Sequence, residues 1–217
     1  MPEFGLVKCN NCGLIFFEET QDIQNSKTLY RDLYNEDIGY KQHKRQEQQI
    51  KKGIQPRLGY NKKIILSKII NEKRKYSIAE IGAGVGVVAS YLIKEGHKYT
   101  GFEINEEIAY NATKQGLQIK HTGYHGLVDY NKEFDAVLAF EVLEHIDNLD
   151  ECFRLIVKSL SSNGLLGFTV PNSNKFRNYE EIQTRLFQSS PPVHLNFFNC
   201  DNIQNILNLY KLEPVFL

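Results

Sequence analysis

The 217-residue sequence carries no surplus of charge of either sign: 26 Lys and Arg stand against 26 Asp and Glu. A neutral chain lacks the global positive field on which nonspecific nucleic-acid binding draws, so nucleic acid is not the expected partner, a local basic patch being the exception left open. No run approaches the ~18 apolar residues that a membrane span needs, which sets aside a membrane role. The first residues show no basic stretch leading into an apolar core, as a secretory leader would. Cysteine is scarce, with four in all, and only Cys9 and Cys12 lie close together. That spacing excludes a disulfide framework and reads as reduced thiols or part of a metal site, a pattern of the cytoplasm. Neither an internal repeat nor a low-complexity segment is present. What is there is ordinary globular material, 41% hydrophobic and 24% charged, long enough for one α/β domain with a full core plus appendages.

Three stretches differ in character. Residues 1–28 hold the cysteine pair and then a polar run, Glu18 to Lys27, with too few apolar positions to build a core alone. They read as an appendage. Residues 29–75 read as amino-terminal helices: Tyr60-Asn-Lys-Lys-Ile-Ile-Leu-Ser-Lys-Ile-Ile spaces its large apolar residues on one helical face, and Gly53 and Pro56 separate it from an earlier helix. From residue 76 onward short apolar runs alternate with amphipathic stretches, the signature of a parallel sheet with crossover helices. The spacing predicts strands at Ser77–Ile81, Tyr99–Ile104, Leu117–His121, Phe134–Phe140 and Leu165–Val170, with a sixth at Leu212–Leu217. Helices are predicted at Val87–Glu95, Glu106–Gln115 and Leu149–Leu160, the last capped by Asn148 with Glu151 reaching back, and at Asn202–Leu209 under an Asp201 cap.

The most informative stretch is Ile78-Ala-Glu80-Ile-Gly82-Ala83-Gly84-Val-Gly86. It ends a predicted strand, turns through glycines and opens a helix, the context in which backbone approaches a nucleotide-like ligand closely. The dinucleotide fingerprint would require a glycine at position 87, where Val87 stands. Glu80 adds a carboxylate at the mouth of the loop. That charge repels a pyrophosphate and attracts a ligand carrying an ammonium and a sulfonium, which favours S-adenosylmethionine over NAD. Glu103 ends the next strand, 17 residues after Gly86, where an acid accepts ribose hydroxyls. Phe140 and Glu141 end a further strand toward the same crevice.

Together these residues resemble the class I S-adenosylmethionine-dependent methyltransferases, from about Ser77 to Asn172. Glu80-Ile-Gly82-Ala-Gly84-Val-Gly86 is similar to the family's first motif, Glu103 to its ribose-binding acid, and Phe134-Asp135 with Val142-Leu-Glu144-His145 to the strand and turn before its substrate pocket. Pro191-Pro192-Val-His194-Leu resembles a segment of bacterial small-molecule and sugar methyltransferases, and Cys9-Asn-Asn-Cys12-Gly13 resembles the second half of the zinc module that some of them carry. The resemblance implies a three-layer Rossmann-like α/β sandwich over residues 29–217, mostly parallel, with S-adenosylmethionine as cofactor. It places the methionine end near Glu80 and Gly82, the ribose on Glu103, and the adenine between Ile104 and the Gly123 loop that includes Tyr124. Three departures are visible: Tyr124 stands where the family often has an adenine-binding Asp, the family's seventh strand has no counterpart before Leu217, and the zinc module's first cysteine pair is missing. Those ends lead to the expectation that the chain is a fragment, with Met1-Pro-Glu-Phe-Gly a candidate expression scar.

The long connection 172–200 reads as an acceptor-binding lid, walled by Tyr179, Phe187, Phe197 and Phe198, with His194 as its chemical residue and His145 as the second candidate. A structural zinc needs four ligands where Cys9 and Cys12 supply two, so no metal is assigned. The function expected is methyl transfer to an O, N or C nucleophile of a small molecule, a sugar or secondary metabolite. Alternatives are a catalytically silent cofactor-binding module and an NAD-dependent oxidoreductase, the second opposed by Val87 and Glu80.

Overall fold

Five of the apolar runs become strands of one parallel sheet in the computed structural model, which describes residues 6–17, 38–70, 74–175 and 194–215. In chain order the elements are β1 (Leu6–Lys8), β2 (Ile15–Phe17), α1 (Ile38–Lys51), α2 (Tyr60–Ile69), β3 (Ser77–Ile81), α3 (Val87–Lys94), β4 (Lys98–Glu103), α4 (Glu106–Lys114), β5 (Ile119–His121), β6 (Phe134–Phe140), α5 (Leu149–Ser159), β7 (Leu160–Thr169), β8 (Asn196–Phe197) and α6 (Cys200–Leu209). Short 3₁₀ turns occupy Tyr124–Asp129, Leu143–His145 and Ser173–Lys175. No described helix is long and apolar enough to cross a membrane.

The chain divides into two compact units. The larger, 34–142 with 150–169, holds the parallel sheet in the order β5-β4-β3-β6-β7. Ile78, Ala79 and Ile81 of β3 and Val137 and Ala139 of β6 are all within 2% of full burial, so both faces of the sheet are covered and the strands read as continuous apolar runs. One face packs Ile78, Ala136 and Leu138 with Leu66 and Ile69 of α2, Val88 and Leu92 of α3, and Ala109 and Ala112 of α4. Helix ends are set locally: the Asn105 side chain accepts the Ile108 N–H at the start of α4, and the His97 and Leu117 N–H groups return to Leu92 and Ala112 beyond the ends of α3 and α4. From β3 the chain winds outward through β4 and β5, then returns to lay β6 on the other side of β3. The carboxyl ends of β3 and β6 therefore flank the point where the strand order reverses, where open α/β sheets bind ligands.

The smaller unit gathers the described parts of 1–33, 143–149 and 170–217. Its sheet is antiparallel, β1-β2-β8, and buries Phe17, Leu195 and Phe197, with the Phe17 and Phe197 rings edge to face at 5.6 Å. The cysteine hairpin is thus built into a sheet. A three-residue strand has no periodicity to read, so neither β1 nor β2 shows in the sequence.

Three expectations are corrected. The sixth strand does not form over the described residues 212–215, while 216–217 lie outside the described residues. The cap of α6 is Asn199, which accepts the Asn202 N–H and receives the Asn202 side chain in return, where Asp201 was expected. β7 begins at Leu160, with an irregularity opposite Phe134 and Ala136. Glu151 accepts the Tyr124 hydroxyl at 3.2 Å. Of the expected lid, Tyr179, Phe187, Pro191 and Pro192 lie outside the described residues.

Candidate cofactor-binding site

The loop after β3 turns through three left-handed residues, Gly82 (φ +71°), Gly84 (φ +53°) and Gly86 (φ +83°), which only glycine adopts without strain. Gly82 and Gly86 are also sterically fixed: a Cβ there would come within 2.4 Å of Val142 Cγ2 and 2.2 Å of Leu117 Cδ1. At Gly84 a Cβ would meet nothing within 4 Å. The backbone is bare at that one position and has room for a ligand beside it. Ala83, between them, is buried.

Two carboxylates, both over 90% buried, belong to the strands beside this loop, Glu80 to β3 and Glu103 to β4. Glu80, 1% exposed, accepts the Tyr99 hydroxyl on Oε2 at 2.5 Å. Burial pushes its carboxyl up to about 7, against the pull of the Lys62 ammonium and the Tyr99 hydrogen bond. Glu103 accepts the Gly84 N–H on one oxygen and the Asn105 N–H on the other, both at 2.8 Å. Burial raises its carboxyl, opposed by the Asn105 and Gly84 amides. These bonds fix the carboxylate while its remaining lone pairs stay available for two hydroxyls. Ile104, next in sequence, is 61% exposed and offers an apolar wall.

Tyr124 is 3% exposed, with its hydroxyl on Glu151 and its ring stacked on His125 at 4.0 Å. Its ring and hydroxyl are taken up by contacts within the protein. Phe140 is buried at the end of β6 under the Lys62 ammonium, 5.1 Å from the ring centroid. Glu141 is exposed and held at φ +56° while its N–H bonds to Thr169. Positive φ in a non-glycine costs on the order of 1–3 kcal/mol, and such strain gathers at ligand sites. Lys62 is the residue that sequence reasoning missed here. Its position on α2 gave no signal, because only the fold brings it beside Glu80 and Phe140.

The two histidine candidates meet within the smaller unit. His145 ends the 3₁₀ turn after β6 and His194 leads into β8, and their rings lie edge to face at 4.8 Å. The contact is held by the backbone: the Leu195 N–H donates to the Glu144 carbonyl at 2.6 Å, and the Asn196 side chain donates to the Leu143 and Ile146 carbonyls at 3.2 and 2.7 Å. Asn196 is a second missed residue, since an asparagine beside a histidine carries no signal until its two acceptors are in view.

The crevice suits a donor with positive charge and a ribose, because acid faces it where a pyrophosphate site would present amides alone. Among known proteins, the methyltransferase-domain family profile matches residues 42–215. A ubiquinone biosynthesis O-methyltransferase from Rickettsia conorii is 28% identical over 114 residues, covering 50% of this chain and 39% of that protein. The chain thus spans about two fifths of that relative's length. The YcgJ protein of Bacillus subtilis superposes with a TM-score of 0.60 at 14% identity over 70% of this chain and 68% of its own. A phosphoethanolamine N-methyltransferase of Haemonchus contortus, solved with S-adenosyl-L-methionine, gives 0.58 at 19% identity over 70% of this chain and 36% of its own. The parallel sheet with its strand order reversed at β3, the acid-lined glycine loop and the profile match agree, and the chain belongs to the methyltransferase-domain family with S-adenosylmethionine as its cofactor.

Proposed function

We propose that the chain transfers a methyl group to an O, N or C nucleophile of a small molecule in the cytoplasm, a sugar or secondary metabolite, without nucleic-acid or membrane partners. Oxygen is favoured by the names of the curated relatives, which are O-methyltransferases. The observation that carries the reading is the pair of buried carboxylates, Glu80 and Glu103, under a glycine loop that is bare at Gly84.

When bound, the cofactor supplies an electrophilic methyl group on a sulfonium. Glu80 balances the positive methionine end, Glu103 holds the ribose hydroxyls, and Ile104 covers the adenine. Methyl transfer depends chiefly on proximity and alignment, with a base needed where the nucleophile must shed a proton. His145 and His194 are the imidazoles assigned to that proton.

Calorimetry with S-adenosylmethionine, its demethylated product and NAD tests the cofactor, and methyl-donor turnover against phenolic and nucleotide-sugar pools tests the reaction. Binding of the first two with turnover of one pool supports the proposal. Tight NAD binding alone overturns it, and cofactor binding with no turnover in any pool favours the silent module.

A further inference from the structure

Glu144, His145 and His194 offer one ligand atom each within a sphere small enough for one ion, all three atoms lying within 4.8 Å of one another. Two of these residues are adjacent on the 3₁₀ turn Leu143–His145, and the third comes from the segment entering β8. The backbone bond from Leu195 to Glu144 and the Asn196 clamp hold the two segments in register. Glu144 is 1% exposed.

The separation of Glu144 Oε1 from His145 Nε2 is 3.8 Å, too long for a hydrogen bond. Ligand atoms ~2.1 Å from an ion lie ~3.4 Å apart in a tetrahedron and ~4.2 Å apart when opposed. The observed gap falls inside that range.

We propose that Glu144, His145 and His194 bind one divalent first-row transition-metal ion. Two imidazoles and one carboxylate suit zinc, iron, nickel or manganese and not magnesium or calcium, which take oxygen ligands. Three protein ligands leave coordination positions open, the pattern of sites that act on a bound oxygen and not of purely structural ones. The inference rests on the reading that the chain takes a small hydroxyl-bearing acceptor. Held on the ion, the two imidazoles no longer accept the proton themselves, and an acceptor hydroxyl bound there would release its proton to water nearer neutral pH than it would unbound.

The test uses the full chain carrying Cys9→Ser and Cys12→Ser, so that thiolates contribute nothing. After metal stripping it is titrated with Mn²⁺, followed by electron paramagnetic resonance of the unbound ion, and with Zn²⁺ by calorimetry. One ion per chain is expected. Glu144→Gln and His194→Gln should each weaken binding at least ~100-fold, the upper end of what outer-shell losses alone cost, while S-adenosylmethionine affinity is unchanged. Absence of binding, or equal binding by both variants, overturns the proposal. Should the variants fail to fold, the Co²⁺-loaded parent decides: visible d–d bands of a nitrogen and oxygen ligand set support the site, and the spectrum of hydrated Co²⁺ overturns it. An ion bound as described without stimulation of turnover for any acceptor supports the metal site and overturns the acceptor reading.

Discussion

Glu80→Gln separates the electrostatic part of the site from its packing. The wild-type carboxyl is raised from its ordinary 4.5 to about 7 by burial. The folded protein therefore keeps a proton that the unfolded chain has already released. Glu80 supports stability fully below pH 4.5 and loses that support as pH rises toward 7. At ~1.4 kcal/mol per tenfold change in proton affinity the loss is ~3 kcal/mol. Glutamine cannot titrate, so the difference in stability between variant and wild type should shift by ~3 kcal/mol in the variant's favour between pH 4.5 and 8. The constant cost of an amide beside Tyr99 cancels in that comparison. The sequence has no tryptophan, so urea unfolding is followed by circular dichroism at several pH values, without cofactor. Added S-adenosylmethionine should reverse the ranking, since only the carboxylate balances its charge. Parallel stability curves for the two proteins would refute the assignment of Glu80 as a destabilised buried acid.

Glu103→Ala should weaken cofactor binding at least ~10-fold by calorimetry, because hydrogen bonds to a charged acceptor contribute ~1.5–3 kcal/mol; unchanged affinity in a folded variant would remove the ribose assignment. Gly82→Ala places a methyl group 2.4 Å from Val142 Cγ2 at φ +71°. It should lower Tm by at least ~4 °C, and an unshifted melt would contradict the steric argument. Asn196→Ala leaves the Leu143 and Ile146 carbonyls without their side-chain donor, at an expected ~1–3 kcal/mol in urea unfolding. His194→Ala should lower turnover ~100-fold or more while cofactor affinity holds; wild-type turnover with the true acceptor would make His194 a packing residue.

The sequence determined whatever is written in contiguous residues. Strand, glycine turn and helix from Ser77 to Lys94 follow from local patterning, because each apolar run is buried on both faces and each left-handed position needs glycine. The places of Glu80 and Glu103 in the sheet were legible for the same reason: Glu80 is the penultimate residue of β3 and Glu103 ends β4, strands that are neighbours in the chain and in the sheet. Strands β3 and β6 were found at their full lengths, whereas β1, β2 and β8 are too short to show a period. Tertiary structure alone decided the remainder. Pairing of β2 with β8 joins segments from opposite ends of the chain, and no local propensity encodes such a pairing. The meeting of His145 with His194, the clamp from Asn196, and Lys62 above Phe140 arise from packing between distant segments. A side chain's partner across the fold is chosen by which elements bury their apolar faces together, and the residues next to it in sequence do not record that choice.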